Sequence, residues 1–318
     1  MEKMNVKYYG SDPGVNTGDY FVYHAIKGFG FNFNDNANLL LIGGGTMLPI
    51  SEKLVKGFTP ERTFTVGSGV LDKPYSQKLM LNELEYDKNL SFTRKFLSKC
   101  KFVGLRDNGS KDVLGFGRVI GDPTYMINTK GLKSDGLGKY VILNVGFTQG
   151  DVIGGITAQL EYLLPILKFA KYYLAKHLGY KICIISFASE DKGFCSLAHR
   201  YLGKSHIYDR TDKKNTDIFN IFSNAEFAIT YRQHAMITAI ICRIPVIPIA
   251  YQEKVINVAK DFNIDKYSIT TDMVTEEELF EKHGMLESWD SKQINDKLNY
   301  YRATMNDYLS ELRREFTK

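Results

Sequence analysis

Arg232 and His234, one residue apart in the run Tyr231-Arg232-Gln233-His234, put a permanent cation beside an imidazole that titrates near neutrality. A guanidinium can clamp a phosphate or carboxylate through two parallel hydrogen bonds, and a histidine can give or take a proton at the same place. The pair suits an anionic substrate that needs acid catalysis. The other reading is structural, with Arg232 paired to a nearby carboxylate and His234 satisfied in the interior. A second arginine stands in Leu105-Arg106-Asp107, with Ser110 following. It either meets an anion or sits in a surface pair beside an Asp107-capped helix.

Glycine-rich turns accompany these cations. Gly43-Gly44-Gly45-Thr46 could present consecutive backbone N–H groups as an anion nest, or could be a tight turn. It has neither the Gly-Lys-Ser/Thr ending of a Walker A loop nor Gly-x-Gly-x-x-Gly spacing. Gly67-Ser68-Gly69 repeats the device, and Gly121-Asp122-Pro123-Thr124 is a rigid turn in which Asp122 is structural. In Asn16-Thr17-Gly18-Asp19, Gly18 would let backbone approach a ligand, and Asp19 either caps a helix or acts on a substrate hydroxyl. Lys254, in Tyr251-Gln252-Glu253-Lys254, is either one more cation for the site or a solvated helix residue. The 6 histidines form no His-x-x-x-His pair, which argues against a metal site, and no Gly-x-Ser-x-Gly elbow offers a serine nucleophile.

The elements that must position these residues alternate as in a parallel α/β sheet. Short apolar runs at 6–9, 39–42, 63–66, 102–105 and 118–120 predict strands in the first half, covered on both faces. The polar, glycine-rich stretch 129–139 predicts a linker. A second series follows: strands at 140–145 and 181–187, one around Ile207, then 227–230 and 245–249, with a long helix over 156–177 and a buried one over 235–241. Both arginines then fall at carboxyl ends of strands, where open α/β sheets bind ligands. From Ser291 onward, Ile294, Leu298, Tyr301, Met305, Tyr308 or Leu309, Leu312 and Phe316 recur at helical spacing. They predict one amphipathic helix, started by a capping box of Asp290 and Gln293 and able to pack back across the domains. The fold class is α/β with two Rossmann-like domains, residues 1–132 and 133–275, and a C-terminal helical segment 276–318.

The 318 residues fit two domains, and 44% hydrophobic content excludes a disordered chain. No apolar run reaches the length of about 18 residues that spans a bilayer. The polar start, Met1-Glu2-Lys3, shows no secretory h-region, so a cytoplasmic location is expected. Four scattered cysteines without a Cys-x-x-Cys pair predict reduced thiols. A net charge of +5, spread along the chain, excludes a nucleic-acid reader and favours small anionic ligands. Lys213-Lys214 and Arg313-Arg314 could add a weak pull toward the inner face of an anionic membrane, although solvated surface charge explains them more simply.

Taken in order, Asn16 to Asp19, Gly43 to Gly45, Arg106 to Ser110, Gly121 to Pro123, Arg232 to His234, then Pro245-Val246-Ile247 and Tyr251 to Lys254 resemble the polysaccharide pyruvyltransferases. The resemblance covers roughly residues 5–260 and implies a GT-B-like arrangement of the two domains. It implies phosphoenolpyruvate as donor, no cofactor, and a sugar acceptor that receives a pyruvate ketal in surface polysaccharide or exopolysaccharide biosynthesis. Whether that acceptor is lipid-linked, nucleotide-linked or polymeric stays open. Under this reading Arg106 and Arg232, from different halves, clamp the donor in an interdomain site. His234 is the acid or base, Asp19 orients the acceptor, and Asn16, Gly43, Gly44, Gly45 and Lys254 contribute to binding. A homodimer is the default assembly. Two other readings are a GT-B glycosyltransferase using a nucleotide sugar and a non-catalytic glycan-binding member of the fold. The glutamate pair seven residues apart that many retaining GT-B enzymes carry in the second domain is missing, and the Arg106, Arg232 and His234 set argues against a pure binding module.

Overall fold

The structure, a computed structural model, describes residues 3–14, 16–73, 83–129, 131–132, 138–146, 155–208 and 215–316. The Lys213-Lys214 pair and much of the 129–139 linker lie outside them. The chain divides into two compact units. The first comprises Met1–Val15, Asp19–Ile127 and Lys297–Lys318, and the second Asn16–Gly18 and Asn128–Asp296.

In the first unit β1 (Met4–Gly10), β2 (Phe31–Phe33), β3 (Leu40–Gly43), β4 (Thr63–Ser68), β5 (Phe102–Leu105) and β6 (Arg118–Val119) form a parallel sheet of order β2-β1-β3-β4-β5-β6. All residues of β3, β4 and β5 are buried, as the continuous apolar runs require of strands covered on both faces. Among the described residues its α-helices are α1 (Thr17–Gly28, whose first two residues group with the second unit), α2 (Glu83–Leu97) and α3 (Asn108–Leu114). In the second unit β7 (Tyr140–Asn144), β8 (Lys181–Ile185), β9 (His206–Tyr208), β10 (Ala228–Thr230), β11 (Val246–Ala250) and β12 (Ile269–Thr270) form a second parallel sheet, of order β12-β11-β10-β7-β8-β9. Its helices are α4 (Gly155–Lys168, continued by a π-helical stretch Phe169–His177), α5 (Lys192–Leu202), α6 (Asn215–Ser223), α7 (Gln233–Cys242), α8 (Glu253–Asp261) and α9 (Glu276–Met285).

The last helix, α10 (Ser291–Phe316), begins with the Asp290 carboxylate accepting the Gln293 N–H at 2.9 Å. Met305, Tyr308, Leu309 and Leu312 on its apolar stripe join Val6, Phe64, Val66 and Phe102 in the first unit's core. Polar bonds fix its register: Tyr308 Oη donates to Thr65 O at 2.7 Å, and Arg302 Nε donates to Tyr125 O at 2.7 Å. Among the described residues no helix is long and apolar enough to cross a membrane.

Each sheet has one place where successive strands are added on opposite sides, and ligands of open α/β sheets settle at the carboxyl ends of the strands there. In the first sheet it lies between β1 and β3, which end in register at Gly10 and Gly43. In the second it lies between β7 and β10, which end in register at Asn144 and Thr230. The expected site residues sort to these two edges.

Candidate active site

At the β7/β10 edge the backbone carrying Arg232 is held by Asn144. The Asn144 Oδ1 accepts the N–H groups of Tyr231 at 3.2 Å and Arg232 at 2.8 Å, while its Nδ2 donates to Ile185 O at 2.9 Å. One buried amide thus ties together three strand ends. Tyr231 stacks between Tyr162, at 5.3 Å between ring centres, and Tyr251, at 4.5 Å. Arg232 turns its side chain onto the fully buried Asp191: Nη2 lies 2.6 Å and Nε 3.1 Å from Asp191 Oδ1, and Nη2 also lies 3.1 Å from Glu190 Oε1. Asp191 Oδ2 further accepts the N–H groups of Phe187 and Ala188. Burial would by itself depress the guanidinium's pKa, but the charges of Asp191, Tyr251 and Glu190 and the Asp191 hydrogen bond outweigh it, so the pKa is raised. Arg232 keeps 14% of its side chain exposed. Close approach demands a glycine at 146, where a Cβ would fall 2.7 Å from the Tyr231 ring and 2.8 Å from Asp191 Oδ1.

His234 is the second residue of α7, so it shares a helix start with Arg232, which is the N-cap. Its ring lies against Gly18, where a Cβ would come within 2.2 Å of Nδ1. Gly18 belongs to the short segment Asn16–Gly18, which is tied to the second unit by an antiparallel bridge between Asn16 and Ala188 and by Thr17 N–H donating to Phe187 O at 2.8 Å. Asn16, Gly18, Asp191, Arg232 and His234 are therefore one local cluster around the 187–191 turn. On the neighbouring turn after β11, Lys254 lies 5.3 Å over the Tyr251 ring, and Gln233 Nε2 donates to Lys254 O. Gln252 between them is 7% exposed, and neither atom of its amide has a hydrogen-bond partner among the described residues. A buried amide at a sheet's ligand edge can exchange hydrogen bonds with a ligand or water.

The first unit's edge is built around Arg106, 1% exposed. Its Nε donates to Asp107 Oδ2 at 2.9 Å and its Nη1 to Thr46 Oγ1 at 3.3 Å. A Cβ on Gly69 would strike Nη2 at 2.3 Å. Asp107 is also the N-cap of α3, its Oδ1 accepting the N–H and the hydroxyl of Ser110, and Ser110 Oγ in turn accepts the Val70 N–H. The guanidinium thus braces the Gly43–Thr46 and Gly67–Gly69 loops from within. Gly44 and Gly45 have φ of +68° and +59°, and the Gly44 N–H is spent on Val66 O, so the three glycines do not offer an uninterrupted row of donors. Their service is close approach, since a Cβ on Gly44 would overlap Val22 at 1.8 Å and one on Gly45 would meet Ser11 Oγ at 2.8 Å and Asp19 Oδ1 at 3.9 Å. Asp19 sits in the first turn of α1 rather than at its cap. Asp122 accepts the N–H and hydroxyl of Thr124 and closes its turn. A cavity of about 470 Å³ elsewhere in this unit, lined by Phe21, Phe29, Met126 and Leu309, holds none of these residues; the Arg313 at its edge donates to Phe29 O.

Sequence reasoning missed Asn144, Asp191 and Gln252. The visible signal was a polar residue at the carboxyl end of an apolar strand or just past it, the same signal that marked Arg106 and Arg232. Among the described residues no group of three or more His, Cys, Asp or Glu side chains could hold a metal ion.

The sequence matches the family model for polysaccharide pyruvyl transferase over residues 2–253. No curated protein sequence matches it. Among solved structures, UDP-N-acetylglucosamine 2-epimerase from Rickettsia bellii is similar at 12% identity, TM-score 0.58, covering 98% of this chain and 99% of that one. Staphylococcus aureus MnaA, in a co-structure with UDP, is similar at 11% identity and TM-score 0.59, covering 94% and 91%. Sucrose-phosphate synthase from Thermosynechococcus elongatus is similar at 11% identity and TM-score 0.55, covering 99% and 100%. At such identities the likeness is one of fold, the α/β class of the GT-B enzymes.

Proposed function

This chain belongs to the polysaccharide pyruvyl transferase family, and on that premise we propose that it moves the enolpyruvyl-derived group of phosphoenolpyruvate onto two hydroxyls of a sugar, closing a pyruvate ketal in surface polysaccharide or glycoconjugate biosynthesis. The observation that carries the donor assignment is the cluster at the β7/β10 edge: a cation fixed by Asn144 and Asp191, an imidazole at the same helix start, and the buried amide of Gln252 without a partner among the described residues. Phosphoenolpyruvate carries a phosphate and a carboxylate. The exposed edge of Arg232, the positive end of the ten-residue α7 and the Lys254 ammonium supply the opposing charge.

His234 is the acid. Protonation of the donor's methylene carbon makes it a methyl group and leaves an oxocarbenium-like carbon, which the first sugar hydroxyl attacks. The bond from that carbon to the phosphate oxygen then breaks, phosphate leaves with the electron pair, and the second hydroxyl closes the ketal. Of the two hydroxyl protons one replaces the proton His234 gave up and the other departs with inorganic phosphate. The step is redox-neutral and calls for no cofactor. The role assigned to Asp19, beside Gly45, is to orient the attacking hydroxyl, and that of Arg106, acting through Thr46, is positioning. Asn16 keeps Gly18 against the imidazole through its bridge to Ala188.

Calorimetric titration with phosphoenolpyruvate, beside UDP and UDP-N-acetylglucosamine, tests the donor. Phosphoenolpyruvate should bind, and Arg232→Ala and Lys254→Ala should each weaken it about tenfold or more, as expected for lost charged hydrogen bonds. His234→Gln should keep the affinity and lose turnover. Binding of the uridine nucleotides without phosphoenolpyruvate would overturn the assignment.

A further inference from the structure

A small cavity of about 180 Å³ opens beside the loop that follows β3 in the first unit. Its walls come from Tyr9 at the end of β1, Thr46 to Pro49 after β3, Leu71 after β4, and Glu85, Tyr86 and Asn89 on α2. It therefore occupies the carboxyl edge of the first sheet, beside its switch point, on the same loop that sets Gly45 against the Asp19 carboxylate. No residue proposed above to hold the donor lines it.

Size, polarity and charge each restrict the occupant. At about 30 Å³ per water the volume corresponds to about six waters, room for one sugar ring and too little for a nucleotide. One side is apolar: Met47, Leu48, Pro49 and Leu71 lie with the Tyr9 ring, which is 38% exposed and able to face the C–H surface of a ring. Hydrogen-bonding groups complete the wall. Thr46 Oγ1 accepts from the buried Arg106, which leaves its hydroxyl hydrogen to donate. Among the described residues neither the Glu85 carboxylate nor the Asn89 amide has a described side-chain bond, whereas Tyr86 Oη is spent on Leu71 O. The surroundings are acidic. The nearby cation, Lys73, is held by Glu83 at 2.7 Å and Asp87 at 2.9 Å, so the Glu85 charge is not offset by it. Burial raises the Tyr86 phenol's pKa, and the charges of Asp72 and Asp87 raise it further against opposite pulls from Lys73 and Arg94.

We propose that this cavity is the acceptor subsite and takes one neutral pyranose unit, stacked on Tyr9 and hydrogen-bonded by Glu85, Asn89 and the Thr46 hydroxyl, with uronic acids and sugar phosphates rejected by Glu85. The assignment rests on the pyruvyl-transfer reading for the identity of the acceptor, and it adds which acceptor chemistry is accepted and which side chains choose it.

Saturation-transfer NMR titrations with the methyl glycosides of glucose, galactose and mannose, run beside methyl glucuronide, test it on the full chain. At least one neutral hexoside should bind saturably and the glucuronide should not. Tyr9→Ala should weaken the hexoside about tenfold. Glu85→Gln should weaken it roughly three- to tenfold and admit the glucuronide. Both positions are open to solvent, so the fold should survive, and phosphoenolpyruvate affinity measured by calorimetry should stay unchanged in each variant. Glucuronide binding to the wild type as well as the hexosides do, or hexoside binding indifferent to both variants, would overturn the subsite. The two readings fail separately. Hexosides bound without phosphoenolpyruvate keep the sugar pocket and remove the donor, whereas phosphoenolpyruvate bound with no hexoside removes the pocket alone.

Discussion

Gly18→Ala tests whether the imidazole of His234 works from the position the fold gives it. The added methyl would lie 2.2 Å from His234 Nδ1, 2.5 Å from Cγ and 2.8 Å from Cβ, so the ring must retreat by about 1.2 Å to regain ordinary contact at 3.4 Å. Gly18 has no left-handed backbone to protect, and alanine inside a helix is favoured over glycine by about 1 kcal/mol, so the backbone should accept the change and the imidazole should move. A displacement of about 1 Å in a reacting group costs on the order of 100-fold in rate, or about 2.7 kcal/mol of barrier. The expected result is a kcat for phosphate release about 100-fold below wild type, with phosphoenolpyruvate affinity within about threefold, since the 2.8 Å contact with His234 Cβ asks the α7 start to give by only about 0.6 Å while the ring takes the larger movement. Imidazole NMR resonances, with His234 assigned by comparison with His234→Gln, would report the movement directly. A shifted His234 resonance with kcat unchanged would refute a catalytic role for this histidine.

Two further outcomes follow from charge. Glu190 Oε1 lies 3.1 Å from Arg232 Nη2 on an exposed side chain, so it competes for the guanidinium edge that the donor's anionic group would use. Glu190→Gln should tighten phosphoenolpyruvate binding by roughly three- to tenfold at low salt, with the gain fading as ionic strength rises, and weaker calorimetric binding would show that the donor does not approach this edge. Burial among Phe169, Tyr173 and Phe227 holds the His283 pKa below its ordinary 6.5 against a partial pull upward by Glu287. The unfolded chain therefore binds this proton first, and stability is lost as pH falls below about 6.5, levelling off below the folded-state pKa. The urea midpoint should drop on acidification less steeply in His283→Phe than in wild type, and parallel profiles would remove His283 as a source of the slope.

The fold was legible where burial is complete. The central strands are buried on both faces, and the expected boundaries for β5 match while those of β3, β4, β7 and β11 shift by one or two residues at one or both ends. The edge strands β2 and β12 escaped while the equally short β6 and β9 did not, since two or three residues hold too little periodicity to separate a strand from a turn consistently. The helix α10 was readable for the opposite reason, as its stripe of apolar residues repeats over 26 residues and averages out local noise.

The site was legible only in its local part. A strand running into a helix fixes where Arg232 and His234 must stand, and that is written in consecutive residues. What the guanidinium faces is decided by Asp191, 41 residues away, and by Asn144, 88 residues away, and no spacing rule connects those positions. The same blindness applies to Arg106. An arginine after a strand looks identical in sequence whether it reaches a ligand or turns inward, and here Gly69, Thr46 and Asp107 draw it into the interior. Glycine holds part of the missing information. Gly18, Gly69 and Gly146 each stand where a Cβ would strike His234, Arg106 or Arg232, so the chain records the positions of these three side chains in the residues that make room for them. A charge fixed by a buried carboxylate and a glycine-cleared wall cannot wander, and such preorganisation is what an oriented proton transfer requires.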